Sequence, residues 1–134
     1  MPGSFFDSNV LLYLASADPA KADMAEGAVR RGGAISVQVL NEVANVARRR
    51  MRLTWAETRT LLHLIRGLLT VHPLEVAAHE AGLRLAERYA LALYDAMIVA
   101  SALGADCDTL WSEDMQHGMH IDGRLRILNP FRSA

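Results

Sequence analysis

Four carboxylates stand where they could do chemistry: Asp7, Glu42, Asp95 and Asp114. Asp7 follows the short apolar segment Gly3 to Phe6, and Asp114 follows the apolar Thr109 to Trp111 with Ser112 and Glu113 between. In open α/β sheets the functional crevice lies beyond the carboxyl ends of the strands, where both of these acids fall. Asp95 interrupts Leu91 to Leu103, a segment otherwise without charge, so its carboxylate is expected to be partly buried and to need a capping role, a basic partner or a cation. Glu42 shares a polar stripe with Gln38, Asn45 and Arg49. Each acid also has an ordinary reading: Asp7 as a helix N-cap, Asp95 as a helix-start cap, Asp114 as a turn residue and Glu42 as a solvated side chain. If the Glu42 stripe faces the strand tips, however, the four acids converge and repel one another unless divalent cations neutralise them. Oxygen-only ligation of that kind selects magnesium or manganese over zinc.

The elements that must position these acids follow from patterning. Gly3 to Phe6 reads as a strand with an acidic tip, and Ser8 and Asn9 offer capping side chains to a helix that opens with Val10 to Ala15. Pro19, the acids Asp23 and Glu26, and Gly32 with Gly33 after Arg30 and Arg31 delimit a second helix, followed by a strand over Ala34 to Val37. Val37, Leu40, Ala44, Ala47 and Met51 recur at spacings of three and four and are expected to form one buried helix face. Thr54 with Glu57 makes a capping box for a helix whose apolar face is Leu61, Leu64, Ile65 and Leu68. Thr70 to Pro73 is a third strand, Glu75 to Ala90 a helix, and the Asp95 helix is expected to end at Leu103 with Gly104 as terminator. Thr109 to Trp111 and Leu125 to Leu128 complete the strands. Short apolar strands without alternation, separated by helices, predict an α/β three-layer sandwich with a short, mostly parallel central sheet flanked by helices.

Composition narrows the class. A chain of 134 residues, 51% hydrophobic and 22% charged, predicts one folded domain over residues 1–134 and excludes disorder, collagen and coiled coil. The net charge of -1 argues against a nonspecific polyanion binder, although 13 of the 14 lysines and arginines are arginine, the better phosphate ligand. Cys107 is the only cysteine, which excludes an intrachain disulfide and a thiolate zinc site of the usual kind. No apolar run reaches the roughly 18 residues of a membrane span, and Met1 to Phe6 has no basic region, so a soluble, cytoplasmic protein without a membrane partner is expected.

Four segments then carry a family resemblance. Phe5-Phe6-Asp7-Ser8-Asn9-Val10-Leu11, Val39-Leu40-Asn41-Glu42-Val43, Leu93-Tyr94-Asp95-Ala96-Met97-Ile98-Val99-Ala100 and Leu110-Trp111-Ser112-Glu113-Asp114-Met115-Gln116-His117-Gly118 resemble the ordered acidic motifs of PIN domains, and among them VapC toxins most. The resemblance covers essentially the whole chain. It implies a metal-dependent endoribonuclease restrained by a cognate VapB-type antitoxin. The family's metal-site acids match Asp7, Glu42, Asp95 and Asp114, while Asn9 and Ser112 occupy its accessory polar positions; Glu113 is left out of the site.

On that reading one or two Mg²⁺ or Mn²⁺ ions activate a water for in-line attack on RNA, leaving 5′-phosphate and 3′-hydroxyl ends. Arg48, Arg49, Arg50 and Arg52, at the end of the Glu42 helix, are candidates for flanking RNA phosphates or else a solvated, dipole-favoured terminus. A homodimer is expected, because the helices of Val10 to Gly32 and Thr54 to Leu68 carry more apolar surface than one small sheet covers and because the resemblance suggests it. His117 and His120 are too few ligands for zinc, and Trp111 reads as core before it reads as a base-stacking platform. An aspartyl phosphatase is disfavoured because Asn9 stands where that chemistry needs a second acid. The alternatives are a housekeeping RNA-processing nuclease and a noncatalytic PIN-like binding module.

Overall fold

The computed structural model describes residues 3–132, so residues 1, 2, 133 and 134 of the span assigned above lie outside it. Six strands form one sheet in the order β3-β2-β1-β4-β6-β5: β1 Ser4–Phe6, β2 Ala34–Ser36, β3 Thr70–His72, β4 Thr109–Trp111, β5 His120–Ile121 and β6 Leu125–Leu128. All pairings are parallel except that of β5 with β6. Successive strand residues point to opposite faces, and both Phe5 and Phe6 are fully buried, so helices must cover the sheet on both sides.

They do so in two packed groups. One comprises α1 Ser8–Leu12, continued by a 3-10 turn at Tyr13–Ala15, α2 Pro19–Arg30, α3 Val37–Arg49 and α4 Trp55–Leu68. The other pairs α5 Val76–Tyr89 with α6 Leu93–Gly104. Every residue from Ala96 to Ala102 is buried, which makes α6 a core helix and explains why Asp95 is its only charged residue. The expected α/β sandwich with a mostly parallel sheet is therefore the fold observed.

Several local expectations are corrected. The cap of α1 is Asp7, whose side chain accepts from the Ser8 amide; Ser8 is already helical. The second strand stops at Ser36 and Val37 opens α3, so the helix is turned to bury Val39, Val43 and Ala47 while Val37 is 40% exposed. On α4 the Thr54–Glu57 capping box forms, but Thr58, Leu61 and Ile65 are the buried residues and Leu64 is 50% exposed. Gly104 is the last residue of α6 instead of its terminator, and Glu75 and Ala90 flank α5 as its caps. Strand β5 is not among the expected strands; after it Asp122 and Gly123, both at positive φ, form a tight turn that returns the chain as β6, antiparallel to β5.

One glycine is required by packing. A Cβ on Gly33, at φ +150, would lie 2.5 Å from the Ser4 carbonyl oxygen, so only glycine lets the turn before β2 pass this close to β1, the strand that delivers Asp7.

Candidate active site

The parallel register puts Phe6 of β1 beside Trp111 of β4, so the two chains leave the sheet side by side and the Asp7 amide donates to the Trp111 carbonyl at 2.9 Å. Just beyond lie Asp7 and Ser112. The Ser112 hydroxyl donates to Asp7 Oδ2 at 2.8 Å, Asn9 Nδ2 donates to the same oxygen at 3.2 Å, and the Ser8 amide donates to Oδ1 at 2.7 Å. Both accessory polar residues, Asn9 and Ser112, thus hold Asp7. Asp7 as a whole residue is only 4% exposed. Burial pushes its pKa up to about 6, the hydrogen bonds from Ser112 and Ser8 oppose that rise, and the charges of Glu42 and Asp95 add to it.

Asp95 lies in the first turn of α6, half-buried, and makes no capping bond; Ala92 is the N-cap. Burial raises its pKa and the charge of Asp114 raises it further. Glu42 is reached through Gln38, whose Nε2 donates to Glu42 Oε2 at 3.3 Å and to the Tyr94 carbonyl at 3.2 Å, tying α3 to the start of α6. Asp114 is exposed, in the irregular turn after β4. The acids therefore feel one another in a chain, Asp7 with Glu42 and Asp95, and Asp95 with Asp114. Among the described residues, no lysine, arginine or histidine forms an ion pair with any of them.

That is an all-oxygen, net-negative field with no protein cation to offset it, which fits a hard divalent ion. Among the described residues no three acidic, histidine or cysteine side chains are gathered as a ready coordination sphere. Asp7 is held at both oxygens and Glu42 at one, by Gln38; Asp114 is exposed and Asp95 half-buried.

The remaining candidates separate. Arg48 is committed elsewhere: its Nη1 donates to the Leu53 carbonyl at 2.7 Å and its guanidinium lies 4.2 Å from the Trp55 ring centroid, so it braces the α3–α4 turn. Arg49, Arg50 and Arg52 are exposed. Arg49, seven residues after Glu42, lies on the same side of α3 about 10 Å further along the helix. His117 Nδ1 accepts from the Asn129 amide at 2.9 Å, a structural contact. Trp111 packs against the core as expected.

Of two cavities bordered by the described residues, only the smaller touches one of the four acids. The larger, 630 Å³, is bordered by Arg84, Arg88, Arg124 and Ser101 and contains none of the four acids. The smaller, 460 Å³, opens beside Glu42 and is bordered by Val37, Gln38, Asn41, Asn45, Leu74 and Tyr94. Glu113, left out of the site above, bonds Lys21 and Tyr13 instead; that pairing is not legible in the sequence, whose one signal for it is that Lys21 is the only lysine in the chain.

The PIN domain family model matches residues 4–117, a span that includes all four acids. The chain belongs to the PIN domain family. Solved structures similar to this PIN domain include a toxin–antitoxin complex from Klebsiella pneumoniae, at 23% identity and TM-score 0.72 over 97% of this chain and 99% of that one. VapBC2 from Rickettsia felis, bound to a DNA fragment from their promoter, matches at 17% identity and TM-score 0.68 over 94% and 97% of the two chains. Mycobacterium tuberculosis VapC20, a Sarcin-Ricin loop cleaving toxin, matches at 15% identity and TM-score 0.64 over 83% and 89%. At these identities the likeness concerns the fold. Among curated proteins none matches this PIN domain in sequence.

Proposed function

We propose that this PIN domain is a Mg²⁺- or Mn²⁺-dependent endoribonuclease and the toxin half of a VapBC-type pair, with Asp7, Glu42, Asp95 and Asp114 as its metal-binding and catalytic acids. The observation that carries the reading is Asp7: a nearly buried carboxylate, its pKa raised by burial and then by two further acids, with no basic partner among the described residues. Such a group is costly to keep charged unless a cation joins it.

A divalent ion held there would polarise the scissile phosphate and lower the pKa of an attacking water. The chain's own residues supply the frame. Ser112, Asn9 and the Ser8 amide fix both oxygens of Asp7 in one orientation, so that Asp7 is the invariant ligand. Gln38 steadies Glu42 against the backbone of Tyr94, next to Asp95. Asp114, exposed at the mouth, is the ligand nearest to solvent and to an incoming strand. The exposed Arg49, Arg50 and Arg52 are available to RNA phosphates.

The partners of this reading are RNA, a VapB-type antitoxin and a second copy of the chain. The similar toxin–antitoxin structures support the antitoxin, and exposed Val37, Leu74, Val76, Leu93 and Tyr94 supply apolar surface for association. No helix among the described residues is long and apolar enough to cross a membrane.

The test is end-group analysis of RNA incubated with the protein. Mg²⁺- or Mn²⁺-dependent fragments with 5′-phosphate ends, absent with chelator, are expected. Cleavage that persists in excess EDTA, or cyclic phosphate ends, would overturn the reading; Asp7→Asn and Asp95→Asn should each abolish cleavage.

A further inference from the structure

Asp7 stands at a strand end, and Glu42 and Asp95 stand on helices, but Asp114 alone has no regular element to hold it. Its turn is nevertheless anchored on every side. The Met115 amide donates to Ser112 Oγ at 3.3 Å, and the Glu113 amide donates to Asn9 Oδ1 at 3.0 Å. The Met115 side chain is buried.

The Glu113 side chain turns the other way, towards the first helices. Tyr13 donates its hydroxyl to Glu113 Oε1 at 2.7 Å, and Lys21 Nζ donates to Glu113 Oε2 at 2.7 Å and to the Tyr13 hydroxyl at 3.2 Å. Neither Lys21 nor Glu113 is freely exposed: their side chains are 36% and 24% accessible. The Lys21 ammonium also lies 4.8 Å from the Tyr13 ring centroid and 5.1 Å from that of Phe131, and these two rings pack edge to face. The chain's only lysine thus closes a three-membered polar ring backed by two aromatics.

We propose that Lys21, Tyr13 and Glu113 are positioning residues: they pin the turn after β4 to α2 and so fix where Asp114 stands relative to the other three acids. The proposal deepens the metal-site reading above and rests on it for its functional consequence. A carboxylate with both oxygens engaged cannot swing, so the neighbouring backbone is held as well. Without the ring, Glu113 loses its cation and the turn keeps only the Ser112 and Asn9 bonds and the buried Met115 side chain.

Lys21→Met tests this, because it keeps the aliphatic stem over the two rings while removing the ammonium. Two readouts are needed. Amide exchange across residues 112–116, measured without metal, is expected to speed up in Lys21→Met. Mn²⁺ affinity is expected to fall about tenfold in Lys21→Met, and the same substitution should have no further effect in an Asp114→Asn background. Equal loss of affinity in both backgrounds, or a lower melting temperature with exchange over 112–116 unchanged, would show a merely structural role and overturn the proposal. If the wild-type chain binds no Mn²⁺, the metal reading fails, and the exchange measurement by itself decides whether Lys21 holds the turn.

Discussion

The Ser112 hydroxyl lies 2.8 Å from Asp7 Oδ2, a contact between residues 105 positions apart that the register of β1 against β4 makes inevitable. Ser112 is fully buried, and its oxygen also accepts from the Met115 amide, so one hydroxyl joins the fixed acid to the turn that carries Asp114. Its bond to Asp7 works against burial by favouring the charged carboxylate. Ser112→Ala should therefore raise the Asp7 pKa further and weaken Mn²⁺ binding about tenfold at neutral pH. Calorimetric titration with Mn²⁺ checks this; an unchanged affinity would show that Ser112 serves the turn only.

The raised pKa of Asp7 makes the metal-free protein sensitive to pH. The folded-state value of about 6 exceeds the ordinary 3.8, so the folded state binds the proton more tightly than the unfolded chain. The stability due to protonated Asp7 is complete below pH 3.8 and is lost as pH rises through about 6. At about 1.4 kcal/mol per unit, the loss approaches about 3 kcal/mol by pH 8. Asp7→Asn, which retains a capping side chain, should lack this dependence and be the more stable protein at pH 8 in chelator. Urea denaturation at pH 4 and pH 8 measures both arms, and parallel behaviour of the two proteins would contradict the prediction.

How much of this was legible in the sequence depended on the range of the interactions. Asp95 stands out because Leu91 to Leu103 carries no other charge, a local pattern that a buried helix writes directly. The Thr54–Glu57 capping box and strands β4 and β6 were equally local. The rotation of α3 was not, because Val37 and Val39 are the same residue type and only the junction with β2 decides which of them faces the core. The partners of Glu113 are hidden for a similar reason: they are 92 and 100 residues away, and nothing near it in the chain announces them. Arg48 read as one of four equivalent cations, whereas its contacts with Leu53 and Trp55 depend on how the chain turns between α3 and α4.

That difference among the arginines can be measured. Arg48→Ala should cost about 1–2 kcal/mol of stability, through loss of the Leu53 carbonyl bond and the Trp55 contact, and leave the salt dependence of RNA binding unchanged. Arg49→Ala should leave stability within about 0.5 kcal/mol and flatten the slope of log affinity against log salt by roughly 0.7, the value for one lost phosphate contact on a single strand. Binding isotherms at several salt concentrations, run with the Asp95→Asn protein to prevent cleavage, discriminate the two. An unaltered slope in Arg49→Ala would place the RNA path away from this end of α3.

An antitoxin of the VapB type is expected to inhibit this chain by inserting a basic side chain, arginine above all, towards Asp7, Glu42, Asp95 and Asp114. The argument is electrostatic. Without a cation the charges of Glu42 and Asp95 add to the cost of ionising Asp7, and that of Asp114 to the cost of ionising Asp95, and no described lysine or arginine pairs with them. A guanidinium can neutralise the site and engage a carboxylate through two parallel hydrogen bonds, so it and Mg²⁺ should compete. Affinity would come from elsewhere, from an amphipathic segment laid on the apolar side chains that the N-terminal group of helices leaves exposed, Met24 on α2 and Trp55 and Leu64 on α4. Replacing the inserted arginine with alanine should then restore Mn²⁺ binding and part of the cleavage while the complex persists in gel filtration. A complex that stays fully inactive and still excludes Mn²⁺ would mean that the antitoxin works by covering the RNA path or distorting the acids, and the competition mechanism would be wrong.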